Sequence, residues 1–147
     1  MLTNKKRMVV ALAFILVIAT AISVSGCGLG GDPKSVVSAF FDSIDKSDSK
    51  KFLNCFQKDS QDLILETLDE DLLKETLTTM DETLSDTYGK TWRKQVKIGK
   101  AEKTDTSDGI TYYDVVCTMD GEESTITVIK VKGKYYIDES SMGGFMY

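Results

Sequence analysis

The sequence predicts an α+β domain in which N-terminal helices pack on one face of a curved four-stranded antiparallel sheet. Three observations carry this prediction. Apolar residues recur at steps of three to five between Val36 and Leu84. After Gly89 the pattern changes to runs rich in β-branched and aromatic residues. Glycine-containing turns then separate those runs at Ser107-Asp108-Gly109, Asp120-Gly121 and Lys132-Gly133-Lys134.

Each element has its own signals. Asp32-Pro33 reads as a helix start, with Asp as the cap and Pro at the first helical position, where no amide is needed. Val36, Val37, Phe40, Phe41 and Ile44 form one apolar face. The polar stretch Asp45–Ser49 ends that helix, and Asp48 or Ser49 can cap a shorter one carrying Phe52, Leu53, Cys55 and Phe56. Ser60 to about Thr87 is a third helical region, with an apolar stripe of Leu65, Leu68, Leu72, Leu77, Met80 and Leu84. A break is expected near Asp69-Glu70-Asp71, with Asp71 as the new cap. Tyr88-Gly89 supplies the stop.

Trp92 to Lys103 alternates loosely, with Trp92, Val96 and Ile98 on one side. Ile110–Met119 places Tyr113, Val115, Cys117 and Met119 on one face. Asp120-Gly121 is a strong hairpin signal. Thr125–Val131 is the next strand and Tyr135–Asp138 the last.

The segment before the domain is of another class. Lys5, Lys6 and Arg7 form a positive cluster, and Met8–Ile22 is then uncharged, with Thr20 its one polar residue. A spanning helix needs about 20 apolar residues, so this run better suits the apolar region of an export signal. Val24-Ser25-Gly26-Cys27 follows, and it resembles the lipobox of bacterial lipoproteins. The resemblance implies cleavage between Gly26 and Cys27 and a diacylglyceryl anchor on the Cys27 thiol. Two acyl chains hold a protein at a membrane where one is marginal. The chain then divides into a signal peptide (1–26), a lipidated cysteine with a Gly-rich tether (27–32), the α+β domain (33–139) and a C-terminal tail (140–147). The expected location is the extracytoplasmic face of a bacterial membrane.

Loss of Lys5, Lys6 and Arg7 takes the 18 basic residues to 15 against 23 acidic ones, a net charge of −8 for residues 27–147. That charge repels phosphate backbones, so nucleic acid is not an expected partner. The charge is also segregated. Residues 58–86 hold ten acids and two bases, whereas 90–103 hold Lys90, Arg93, Lys94, Lys97, Lys100 and Lys103 against Glu102. The basic stretch is a solvated strand flank partly neutralised by the acidic helices, or a contact for anionic lipid headgroups or an acidic partner.

The stretch PKSVVSAFFDSIDKSDSKKFLNCF (33–56) has a helix with paired aromatics, a polar break and a short helix. VIKVKGKYYID (128–138) reads as a closing hairpin. Together they resemble the nuclear-transport-factor-2-like superfamily, specifically its small bacterial lipoproteins of unknown function. The resemblance implies a cone whose helices and sheet enclose a cavity. The superfamily spans enzymes, small-molecule binders and scaffolding domains, so it does not choose among them.

The residues for chemistry are sparse. The chain has no histidine, the side chain whose ordinary pKa suits proton transfer near neutrality. An Asp base with a Tyr donor could come from Asp114 beside Tyr112 and Tyr113, or from Asp138 beside Tyr136. Alternation, however, sets Asp114 on the face opposite Tyr113. No metal site is expected. Laid on a calcium-loop template with Gly109 at the required glycine, Thr104 and Val115 fall at ligand positions they cannot serve. Asp69-Glu70-Asp71 reads as solvated surface.

Cys55 and Cys117, each on an apolar face, are either bridged or two buried thiols. Trp92, Tyr113 and Tyr135 are the candidates for lining a ligand cavity, because each joins an apolar body to a polar tip. The expected role is a membrane-anchored, non-catalytic binding or protein-interaction module, without a cofactor and with a protein or a small ligand as its partner. The alternatives are a small-molecule carrier or sensor with an aromatic-lined cavity, and an Asp/Tyr enzyme.

Overall fold

The computed structural model of the chain describes residues 31–140. The proposed signal peptide, the Gly26–Cys27 junction, Gly28–Gly30 of the tether and all but Ser140 of the tail lie outside the described residues. The helices are α1 (Pro33–Asp45), α2 (Ser49–Leu53), α3 (Lys58–Thr67), α4 (Glu70–Tyr88) and α5 (Trp92–Gln95). Four strands follow: β1 (Lys97–Ser107), β2 (Ile110–Met119), β3 (Glu122–Val131) and β4 (Lys134–Ile137). They form one antiparallel sheet in the order β1-β2-β3-β4. The expected α+β order, helices then a four-stranded antiparallel sheet, is what the chain forms. Among the described residues no helix is long and apolar enough to cross a membrane.

Local chemistry explains the helix starts. The Asp32 carboxylate accepts from the Ser35 amide at 2.9 Å, and Pro33 opens α1. Asp48 caps α2 in the same way through the Lys51 amide. Before α4 the cap is Asp69, whose carboxylate accepts from the Leu72 amide at 2.9 Å. The sequence pointed to Asp71. Asp69 wins because its extended backbone sits just outside the helix, while Glu70 and Asp71 fill the first turn, where the helix dipole favours negative charge.

The break also resets the helical phase. Leu68 is extended (φ −127°, ψ 115°), so α3 and α4 do not share one apolar stripe. Ile64 and Leu73 turn inward, and Leu65 and Leu72 are left 37% and 44% exposed. The stripe expected from Leu65 to Leu84 therefore holds in its C-terminal half, where Leu77, Met80 and Leu84 are buried.

A second departure lies at Trp92. The alternating pattern suggested a strand from there, but Trp92–Gln95 is a short helix and the strand begins at Lys97. The chain turns at Gly89 (φ 93°), and the Trp92 amide donates to the Gly89 carbonyl at 3.0 Å. This turn carries the indole into the core, where its burial outweighs the weak strand preference of the surrounding residues.

The strands are joined by two-residue hairpins at Asp108–Gly109, Asp120–Gly121 and Lys132–Gly133, with both residues of each in the left-handed region. That turn twists in the sense of the sheet, and Gly121 adopts it without a Cβ penalty. β1 is irregular, with register shifts between Ile98 and Ala101 and between Lys103 and Asp105. At the first shift the chain runs so close to β2 that a Cβ on Gly99 would lie 2.9 Å from the Val116 carbonyl oxygen.

The main core lies between the helices and one face of the sheet. Its centre is an aromatic cluster of Phe40, Phe41, Phe52 and Phe56, with centroids 5.1 to 6.4 Å apart. Val115, Cys117, Met119, Ile126, Val128 and Ile137 close it from the sheet side. The Ile137 amide donates to the Cys55 carbonyl at 2.8 Å, which ties β4 to the turn after α2.

Candidate functional site

The three residues expected to line a cavity separate into two settings. Tyr113 and Tyr135 meet on the helix-facing side of the sheet, with ring centroids 5.8 Å apart in an edge-on contact. Lys130 stands in register with Tyr135 and sets its ammonium 5.4 Å from that ring's centroid, a cation–π geometry. Tyr135 is buried and Tyr113 half-buried, so the pair spans the margin of the core.

Trp92 is elsewhere in character. It is completely buried, and its indole N–H donates to Asp81 Oδ1 at 2.7 Å. Its polar tip is thus held by α4. Among the described residues, ring contacts join Tyr113 to Tyr135 and do not extend to Trp92. Trp92 serves as core packing.

The chemistry-bearing groups are engaged structurally. Thr127 Oγ1 donates to Asp114 Oδ1 at 3.0 Å. In register, Asp114 stands between Glu102 and Thr127, and Tyr113 between Lys103 and Val128. Strand alternation therefore keeps Asp114 and Tyr113 on opposite faces, and they do not form a base–donor pair.

Cys55 and Cys117 are both free, buried thiols. The Cys55 thiol donates to the Lys51 carbonyl at 3.3 Å. Burial pushes Cys55 up to about 12, with nearby Lys51 opposing and Asp42 adding to the shift. Burial pushes Cys117 up to about 11, and Arg93 pulls the other way. Both thiols stay protonated near neutrality, so neither is a ready nucleophile.

A half-buried ion pair went unseen in the sequence. Arg93 Nε donates to Asp42 Oδ1 at 2.7 Å, and its Nη2 donates to Ser38 Oγ at 2.9 Å and to the Ser38 carbonyl at 3.3 Å. Lys51 adds its ammonium 3.7 Å from Asp42 Oδ2. Arg93 is therefore withdrawn from the basic stretch in which it was counted. Lys90, Lys94, Lys97, Lys100 and Lys103 are the exposed remainder, and Lys100 pairs with Glu102 at 3.5 Å. Asp42 carried no signal because its partner lies 51 residues away. Asp81 was hidden likewise, as one acid among ten.

Among the described residues, no group of three or more metal-ligating side chains is positioned to hold an ion. The acids of Asp69-Glu70-Asp71 serve instead as the cap and first turn of α4. Comparison with family models, with curated proteins and with solved structures finds no match for this chain.

Proposed function

We propose that this protein is a lipid-anchored module of a bacterial cell envelope, held at the outer face of a membrane by Cys27, and that it works by binding a protein partner. The anchoring half of the reading rests on Val24-Ser25-Gly26-Cys27 after an uncharged run and a basic cluster. The nuclear-transport-factor-2-like cone and the cleaved signal belong to the same proposal.

One observation carries the non-catalytic half: three half-buried acids are bonded into the scaffold. Asp114 is held by Thr127, Asp81 by Trp92, and Asp42 by Arg93 and Lys51. The surface left for recognition is charged and divided, with acids along α3 and α4 and lysines from Lys90 to Lys103.

The test has two arms. Cys27→Ala should abolish incorporation of a fatty-acid probe and release the chain from the membrane fraction; persistent labelling overturns the anchor. For the binding half, in-cell cross-linking of the intact protein should give one discrete adduct. Charge reversal at Lys94 and Lys97 should weaken it, and an unchanged adduct overturns a role for that stretch.

A second reading, a small-ligand carrier, is favoured by one feature, the Tyr113–Tyr135 pair with Lys130 at the core margin. Native mass spectrometry of the protein from its own host would then show a retained small molecule that Tyr135→Ala releases.

A further inference from the structure

The sheet has a second apolar cluster, on the face away from the helices. Strand pairing sets Tyr112, Ile129 and Tyr136 abreast across β2, β3 and β4. Val131 extends the row, half-buried Ile110 flanks it, and Tyr112 is itself half-buried. Alternation puts these side chains opposite Tyr113, Val128 and Ile137, which belong to the main core. Among the described residues the cluster draws its members from the strands alone. Even so, Tyr136 is 4% exposed, and Ile129 and Val131 are 7% exposed. A sheet face open to water is ordinarily polar and well exposed, so this one has the composition and burial of a covered face.

We infer that this face is the docking surface for the chain's own C-terminal segment, residues 141–147. The segment continues from Ser140, three residues beyond the end of β4, the strand that carries Tyr136. Its seven residues, fully extended, reach about 24 Å. Crossing from β4 to β2 needs about 10 Å at the ordinary strand spacing. Its composition fits an apolar row: Met142, Phe145, Met146 and Tyr147 supply apolar surface, and Gly143-Gly144 supplies a place to bend back. The other strongly apolar segment, Met8–Ile22, lies within the part that the proposed processing removes. Preferring the tail over that segment rests on the proposed function; the apolar face itself does not.

The test is hydrogen–deuterium exchange on the full chain in detergent, followed over the peptide spanning Ile126–Ile137. Ending the chain at Ser140 should speed exchange there on the order of tenfold, while α1 amides keep their rates and so report an intact core. Phe145→Ser in the full-length chain should move the same peptide in the same direction. Unchanged rates after removal of 141–147 overturn the proposal. So does a chain whose protection of this peptide falls on dilution, which assigns the face to a second copy. Acceleration caused only by removing residues 1–26 assigns it to the N-terminal segment and also overturns the proposal. Acylation of Cys27 is read separately by the fatty-acid probe, so the two ideas fail independently.

Discussion

Arg93 Nε lies 2.7 Å from Asp42 Oδ1, and this bond joins the short helix α5 to the last turn of α1 across 51 residues of sequence. The pair is only partly exposed, with side-chain accessibilities of 19% and 30%, so water screens it less than a surface pair. Asp42→Ala should therefore lower unfolding free energy by about 1.5–3 kcal/mol, as expected for a hydrogen bond to a charged group. Asp42→Asn keeps an acceptor and should lose less. Urea melts of the variants measure both; a loss in Asp42→Asn equal to that in Asp42→Ala would show that the charge carries the whole interaction, and no loss in Asp42→Asn would show that it contributes nothing.

Asp81 holds the indole of a completely buried tryptophan. Asp81→Ala leaves the Trp92 N–H without its acceptor, a loss of about 1–3 kcal/mol. The loss should be coupled: in a Trp92→Phe background the same substitution should cost clearly less. A double-mutant cycle gives the coupling directly, and additive losses would count against the bond.

The two buried thiols predict a pH dependence. Their native values, about 12 for Cys55 and about 11 for Cys117, lie above the ordinary 9.0. Between pH 9 and those values the native state holds more protons than the unfolded chain. Their contribution is thus intact below pH 9 and falls as pH rises towards 11–12, by up to about 1.4 kcal/mol per pH unit for each thiol. Compared in a Cys27→Ala background, Cys117→Ala should flatten the fall in stability above pH 9. In the same background, a thiol reagent at pH 8 should react slowly with native protein and fast in urea. Reduction should leave the intact mass unchanged.

Lys132 opens the β3–β4 turn with φ 49°, where the corresponding residue of both other hairpins is Asp. Lysine gains nothing from the left-handed region, whereas Asn tolerates it through local hydrogen bonding. Lys132→Asn should stabilise the domain by roughly 0.5–1 kcal/mol, a part of the left-handed penalty. A rise in Tm of the full domain checks it, and an unchanged or lower Tm refutes it.

Elements with a local cause were legible before the fold was known. α1 shows its cap, its proline and its apolar face within residues 32–44. β2 shows its alternation, and the Asp-Gly dipeptides announce their hairpins because few other residues accept both left-handed positions. The helix break near Asp69 was also legible, but the capping residue and the new phase were not. Two residues of extended backbone, Leu68 and Asp69, decide which leucines face inward.

The site was less legible. Tyr113 and Tyr135 were both singled out from residue type, and the sheet register brings them together. Trp92 was singled out for the same reason, yet Asp81 claims its polar tip. Amphipathic side chains look alike in a sequence, and only their partners separate a cavity wall from a core.

By itself the sequence determined the order of helices and strands, the turns and the acidic balance. The elements and turns follow from short-range steric and periodic rules that act within a few residues. The tertiary structure alone decided that Arg93 belongs to Asp42, that Trp92 belongs to Asp81, and that Asp114 and Tyr113 face apart. It also decided that the sheet carries a second apolar face. Those outcomes depend on which distant surfaces are pressed together when water is expelled, a choice made by the packing of the whole chain.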